Sequence, residues 1–172
     1  DDLVRTIGRS YTSAEILRSI EEIRRVKGDL FLAADMITGL PGEDEKKFEQ
    51  SVALVRSGDF SQLHVFPYSP RPGTKLYGAA NPVAEYLRDE RASKLRSLSR
   101  DGHWSYLRRQ HGRTCWAVAE QRLDLPGKTG WSVLTDTYIH CILPGDQPVQ
   151  KGEALTVTLN TQQDPVEAVI AH

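Results

Sequence analysis

Asp35-Met36-Ile37-Thr38-Gly39-Leu40-Pro41-Gly42-Glu43, followed one helix later by His64-Val65-Phe66-Pro67-Tyr68-Ser69-Pro70-Arg71-Pro72-Gly73-Thr74, decides how this chain is read. Each half is a buried strand that runs straight into a loop dense in glycine and proline. Loops that follow parallel strands are where α/β proteins place their sites. The two stretches therefore predict neighbouring strand-end loops that face one ligand.

The flanking segments fit that reading. Thr12 and Glu15 make a capping box, and Ile16, Leu17, Ile20 and Ile23 recur at helical spacing until Lys27-Gly28, which predicts a helix over 14–27. The apolar run 30–37 shows no alternation, as in a strand covered on both faces. A second helix opens near Glu43-Asp44-Glu45 and ends at Gly58; Leu63–Phe66 is the next strand. Helix, strand, helix, strand implies a parallel sheet or part of a (β/α) barrel. Residues 69–82 form an extended, proline-rich connector, and Asn81-Pro82 fits the start of a long polar helix reaching about Gln110, with Gly102 as a candidate interruption.

From Gly112 the pattern changes to short alternating strands: 114–119, 131–134, 138–143, 154–159 and 166–171. The turns between them are marked by Pro126-Gly127, Pro144-Gly145-Asp146 and Lys151-Gly152. Five short strands in this space predict a small all-β barrel of the OB-like kind, an architecture that often binds oligonucleotides.

Composition bounds the function. The 172 residues are 39% hydrophobic and carry a net charge of −1, as in a soluble globular protein. No apolar run approaches the roughly 18–20 residues that span a bilayer, and no signal-peptide pattern is present, so a cytoplasmic location is expected. The two cysteines, Cys115 and Cys141, lack a CxxC partner and read as small buried hydrophobes. The chain begins Asp1-Asp2-Leu3 and holds one methionine, Met36, which reads as part of a longer protein.

Taken together, several runs resemble the C-terminal half of the radical S-adenosylmethionine methylthiotransferases. They are Gly8-Arg9-Ser10-Tyr11-Thr12, Asp35-x-Ile37-x-Gly39-x-Pro41-Gly42-Glu43, His64 to Thr74, the arginine-rich helix, and Gly112-Arg113-Thr114. The resemblance implies an α/β partial (β/α) barrel fragment at 1–82, a connecting helix at 83–111, and a TRAM-like β-barrel at 112–172 that binds RNA. The wording Leu63 to Pro70 and Gly130-Trp131-Ser132 with Tyr138-Ile139 resembles the branch that methylthiolates threonylcarbamoyladenosine beside the anticodon of tRNA. Alternatives are the isopentenyladenosine branch, the ribosomal-protein branch, a non-catalytic RNA-binding module, and a structural half-barrel docked to a partner chain. Lys75, where the family usually has proline, departs from the pattern.

The resemblance also assigns residues. Asp35, Ile37, Gly39 and Glu43 after the first strand, with Val65, Phe66 and Tyr68 on the second, would contact S-adenosylmethionine. Each has a plainer reading. Glu43 is an acid opening a helix, and Val65 is core. Asp35, read as a buried carboxylate, needs a ligand or a basic neighbour such as Arg9. Arg71, held between two prolines, would take a phosphate or a carboxylate of the modified base, against the reading of a solvated side chain.

The RNA assignment carries an electrostatic tension. Residues 112–172 hold four Arg/Lys against seven Asp/Glu, whereas residues 83–111 hold seven against four. Positive charge for RNA is therefore expected from Arg100, Arg108, Arg109 and Arg113, astride the junction, with Trp131 or Tyr138 stacking on a base unless they are barrel core.

Radical S-adenosylmethionine chemistry needs a cluster-binding CxxxCxxC triad, which two lone cysteines do not supply. The full-length enzyme is expected to carry two 4Fe–4S clusters with ligands outside this chain, to act on tRNA as a monomer, and to have no membrane association. The fragment alone is expected to be inactive, with no catalytic residue and no metal ligand of its own.

Overall fold

The structure, a computed structural model, describes residues 1–125 and 128–171, so the expected Pro126-Gly127 turn lies outside the described residues. The chain divides into two units, Asp1–His103 and Trp104–His172.

In the first unit a short helix, α1 (Asp2–Thr6), precedes α2 (Ser13–Lys27). The capping box closes as the sequence predicts: Thr12 Oγ1 accepts from the Glu15 amide at 3.2 Å and the Glu15 carboxylate accepts from the Thr12 amide at 2.7 Å. Strand β1 (Ala33–Thr38) is followed by α3 (Glu45–Gly58), whose N-cap Asp44 accepts from the Lys47 amide at 2.8 Å. Strand β2 (Gln62–Pro67) then pairs parallel with β1, in register from Ala33 opposite Gln62 to Thr38 opposite Pro67. A helical crossover between parallel strands is what that geometry requires.

The expectation of a strand covered on both faces is corrected. Ala34, Met36 and Thr38 face the core, while Ala33, Asp35 and Ile37 are exposed. Alanine and isoleucine are apolar on either face, so the alternation is invisible in the sequence. The core is one-sided: Phe48, Val52 and Val55 of α3, Ile20 of α2 and Leu63 and Val65 of β2 meet Ala92 and Leu95 of the next helix.

That helix, α4 (Glu85–Arg109), starts three residues later than Asn81-Pro82 predicts, because Asn81 adopts a left-handed φ of 58°. It also runs through Gly102 without a break. Its polar side chains close the outer edge of β2. Ser99 Oγ accepts from the Leu63 amide at 2.8 Å, and Arg96 Nη2 donates to the Val65 carbonyl at 3.1 Å. Edge groups satisfied this way are unavailable to another strand.

In the second unit five strands close a barrel in the order β3-β4-β5-β7-β6. They are β3 (Thr114–Leu125), β4 (Lys128–Thr135), β5 (His140–Pro144), β6 (Ala154–Asn160) and β7 (Glu167–Ile170). A small barrel was expected; its first strand is longer than predicted, with a bulge between Ala119 and Gln121. β5 starts later because Tyr138 sits in a turn with φ 60°. Cys115, Ala117, Val133, Cys141, Leu143, Val157 and Ala168 fill the interior. Tyr106 of α4 is fully buried within the same unit, where its hydroxyl donates to the Thr137 carbonyl at 3.0 Å.

Burial pushes the Cys141 thiol up to about 12, with the neighbouring Cys115 adding to the shift, and it raises Cys115 in the same direction. Two results follow. Neither thiol is alkylated at pH 8 in the folded chain, and both react once denaturant opens the barrel, as mass spectrometry of iodoacetamide adducts would record. The folded barrel also keeps protons that the unfolded chain loses, so this part of its stability is intact below the unfolded thiol value and falls as pH rises from about 9 towards about 12. Rapid labelling of the native chain would contradict this placement of the cysteines.

Candidate functional site: two strand-end loops and an open sheet face

The helices cover one face of the β1–β2 pair and leave the other open. On that open face Asp35 lies opposite His64 and Ile37 lies opposite Phe66. Ile37 is 44% exposed and Phe66 52%, so two large apolar side chains stand side by side in solvent. Contiguous apolar surface left in solvent is where a binding surface is sought. The buried carboxylate expected at Asp35 is corrected: the residue is exposed and needs no ion pair to be stable there.

Beyond the ends of the strands, the first loop folds around Glu43. Its side chain is 3% exposed, and Oε1 accepts from the Gly39 amide at 2.9 Å, Thr38 Oγ1 at 3.3 Å and Arg91 Nη1 at 2.9 Å. Arg91, 4% exposed, also donates to the Glu43 carbonyl at 2.9 Å, reaches Glu45 at 3.3 Å, and lies 5.1 Å from the Phe48 ring centre. Glu43 is thus the buried anchor of the loop. Helix α3 begins after it, so it is not the helix-opening acid the sequence suggests.

Gly39 has φ 78°, and a Cβ there would fall 2.1 Å from Cγ of Arg88, whose stem crosses the loop. Only glycine permits both the backbone angle and that approach. The guanidinium of Arg88 donates to the Tyr68 carbonyl, so one α4 residue touches both loops. Tyr68 continues the strand pairing through its amide, which donates to the Thr38 carbonyl at 2.8 Å, and its hydroxyl holds the following loop by donating to the Leu76 carbonyl at 3.0 Å.

The structure separates the residues that the sequence groups together. Ile37 and Phe66 lie on the open face, Gly39 and Tyr68 at its loop end. The Val65 side chain belongs to the core and its carbonyl is taken by Arg96. Arg71 is exposed in a tight turn in which its carbonyl accepts from Thr74 Oγ1 at 2.8 Å. Arg100 and Arg108 are exposed on α4. Arg109 donates to Ser105 Oγ at 3.0 Å, and Arg113 to Gln110 Oε1 at 2.8 Å.

Trp131, named for base stacking, faces the barrel interior, because it shares the inward parity of Val133 on β4. Tyr138 is 67% exposed and Trp116, on β3, 63%. Sequence reading missed Trp116, Arg88, Arg91 and His64. Counting strand parity from Cys115 and Ala117 would have turned Trp116 outward. A carboxylate beside a close-packed glycine loop implied a buried cation on a neighbouring element.

Among the described residues no group of three or more His, Cys, Asp or Glu is placed to hold a metal ion, and both cysteines lie in the barrel core. The residues present therefore do not fit an iron–sulfur cluster. The open face offers an apolar wall, Ile37 beside Phe66, that ends in the Gly39 loop. No helix among the described residues is long and apolar enough to cross a membrane.

Comparison with characterised proteins gives a consistent picture. The chain is 32% identical over 139 residues to a threonylcarbamoyladenosine tRNA methylthiotransferase, MtaB, of Treponema pallidum, covering 81% of this chain and 27% of the relative. It is 30% identical over its whole length to a tRNA-2-methylthio-N(6)-dimethylallyladenosine synthase of Ehrlichia canis, 37% of which it covers. A synthase of the same name from Ehrlichia chaffeensis is 34% identical over 115 residues, covering 67% of this chain and 26% of the relative. The chain thus spans between about a quarter and two fifths of the length of these relatives. No family model matches it.

Proposed function

Because the chain is a homologue of tRNA methylthiotransferases of the radical S-adenosylmethionine family, we propose that it forms the C-terminal part of such an enzyme and acts on threonylcarbamoyladenosine in tRNA. The observation that carries this reading is the open sheet face with Ile37 and Phe66 side by side and both strand-end loops at its rim. In this reading residues 1–82 are the last units of a (β/α) barrel, 83–111 the connecting helix and 112–172 a TRAM-like barrel.

Ile37 and Phe66 would pack on the adenine of S-adenosylmethionine, with Gly39 allowing the loop backbone to come close. Tyr68 and Glu43 would serve by fixing that rim: Tyr68 holds the second loop, and Glu43 holds the first through Arg91. Asp35, exposed beside them, would face the same space. Held by Ile37, Phe66 and the Gly39 loop, the cofactor would supply radical chemistry at the base. The clusters belong to parts of the enzyme outside this chain, so the chain by itself would be inactive. Arg71 would meet a phosphate or the threonyl carboxylate, and Arg100, Arg108, Arg109 and Arg113 the tRNA backbone. The complete enzyme would work in the cytoplasm as a monomer.

Nucleoside mass spectrometry of tRNA tests this. Deleting the full-length gene should abolish methylthiolated threonylcarbamoyladenosine. Wild type should restore it, and an Ile37→Asp/Phe66→Asp variant should not, since two carboxylates would desolvate against an adenine face. Loss of methylthiolated dimethylallyladenosine instead would assign the chain to the branch of the Ehrlichia relatives. An unchanged tRNA profile would sink the tRNA assignment.

A further inference from the structure

The barrel carries an aromatic groove on its outside that its fold does not require. Trp116 and Val118 point outward on β3 between the inward Cys115, Ala117 and Ala119. Tyr138 projects from the turn joining β4 to β5, and the Asp136 amide ties that turn to β3 by donating to the Trp116 carbonyl at 2.8 Å. With Leu134 and Ala154 these residues line an open groove of about 460 Å³. Among the described residues no Lys or Arg lines it, and the Asp136 side chain is exposed.

The dimensions and chemistry select the occupant. A stable protein interface takes about 800 Å² from each partner, some 20–30 residues, whereas eight residues line this groove. A phosphate would meet a carboxylate and no cation. A planar base suits two exposed aromatic side chains, and stacking on such side chains is indifferent to sequence. The carboxylate adds a preference, because it accepts hydrogen bonds and donates none, so it pairs with amino and imino edges. Guanine presents two adjacent donors on its Watson–Crick edge; uracil presents one, between two carbonyls that repel an anion.

We propose that this groove is a nucleobase subsite, in which Trp116 and Tyr138 stack on one unpaired base of the RNA and Asp136 selects guanine over uracil. The inference rests on the RNA-binding reading above and adds a division of labour to it. The backbone is met by the arginines Arg108, Arg109 and Arg113, and one base by the acidic barrel face. An RNA-binding module with excess negative charge is then no contradiction, since its groove reads an edge and not a phosphate.

Fluorescence anisotropy of labelled RNA tests the groove on this chain. The probes are a short single-stranded oligouridylate and the same oligomer with one central guanosine. Wild type should bind the guanosine-bearing oligomer about tenfold more tightly. Trp116→Ala should weaken that binding by about five- to a hundredfold, with Trp116→Phe retaining most of it. Asp136→Ala should abolish the preference while leaving oligouridylate binding intact. Trp116 and Asp136 are exposed, so these variants should fold, and circular dichroism would verify it.

If Arg108→Ala/Arg109→Ala loses binding to both oligomers while Trp116→Ala and Asp136→Ala change nothing, the groove proposal is wrong and the RNA-binding reading stands. If wild type binds neither oligomer, both fail. Self-association of wild type that Trp116→Ala removes would assign the groove to a second copy of the chain and overturn the proposal.

Discussion

Replacing Arg91 with alanine should cost the first unit about 3–5 kcal/mol, the range for removing one partner of a buried ion pair. Arg91 Nη1 lies 2.9 Å from Glu43 Oε1, and both side chains are almost fully buried. Truncation leaves that carboxylate, among the described residues, with the Gly39 amide and the Thr38 hydroxyl. It also removes the guanidinium stacked on Phe48, which sits in the core. A double variant, Glu43→Gln/Arg91→Met, should lose clearly less than Arg91→Ala alone, because no uncompensated charge remains. The units report separately: all three tryptophans lie in Trp104–His172, while α1, α2, α3 and most of α4 lie in the first unit. Urea unfolding should therefore show a large drop in the midpoint followed by helical circular dichroism and a smaller one by tryptophan fluorescence. A loss under 1 kcal/mol would mean that water, not Arg91, satisfies Glu43.

Gly102→Ala should also destabilise, although an ordinary helix interior predicts the reverse. Alanine in place of glycine there recovers about 1 kcal/mol of helix propensity. Here the added Cβ would lie 2.2 Å from the Phe60 carbonyl oxygen. That atom belongs to the backbone between α3 and β2, so it does not swing aside as a side chain does. Overpacking of this kind costs about 3 kcal/mol at the upper end of its usual range. The net loss is about 2 kcal/mol, or roughly 8–16 °C in the melting temperature of a unit this size. A variant that melts higher than wild type would show that α4 and the Phe60 backbone are not held at this distance in solution.

Both effects arise where sequence patterns are least informative. The capping box of Thr12 and Glu15, the extent of α3 and the five barrel strands are legible because their signals are local: a cap, a helical stripe, a glycine or proline at each turn. The roles of Arg88 and Arg91 are not local. An arginine on a polar helix looks like a solvated charge until Gly39 and Glu43 are brought against it by the β1–α3–β2 crossover. Gly102 reads as a helix interruption because the connection that it accommodates, at Phe60, is 42 residues away in sequence. Asn81-Pro82 carries a proper start signal, yet the chain uses Asn81 for a left-handed turn whose carbonyl accepts from the Gly42 amide at 3.0 Å. The open face of β1 is hidden for a different reason. Its exposed Ala33 and Ile37 are as apolar as the residues that face the core, so hydropathy alone assigns no outside.

The closure of the β2 edge by Arg96 and Ser99 has a consequence for assembly. A sheet grows by pairing at a free margin, and in this pair one margin is occupied at Leu63 and Val65 by side chains of a helix. Among the described residues β1 pairs with β2 alone. The two-strand unit is therefore monovalent, able to accept a neighbour on the β1 side and on no other. Any strand that joins it, whichever chain supplies that strand, has its side dictated in advance, and the sheet is built with a direction.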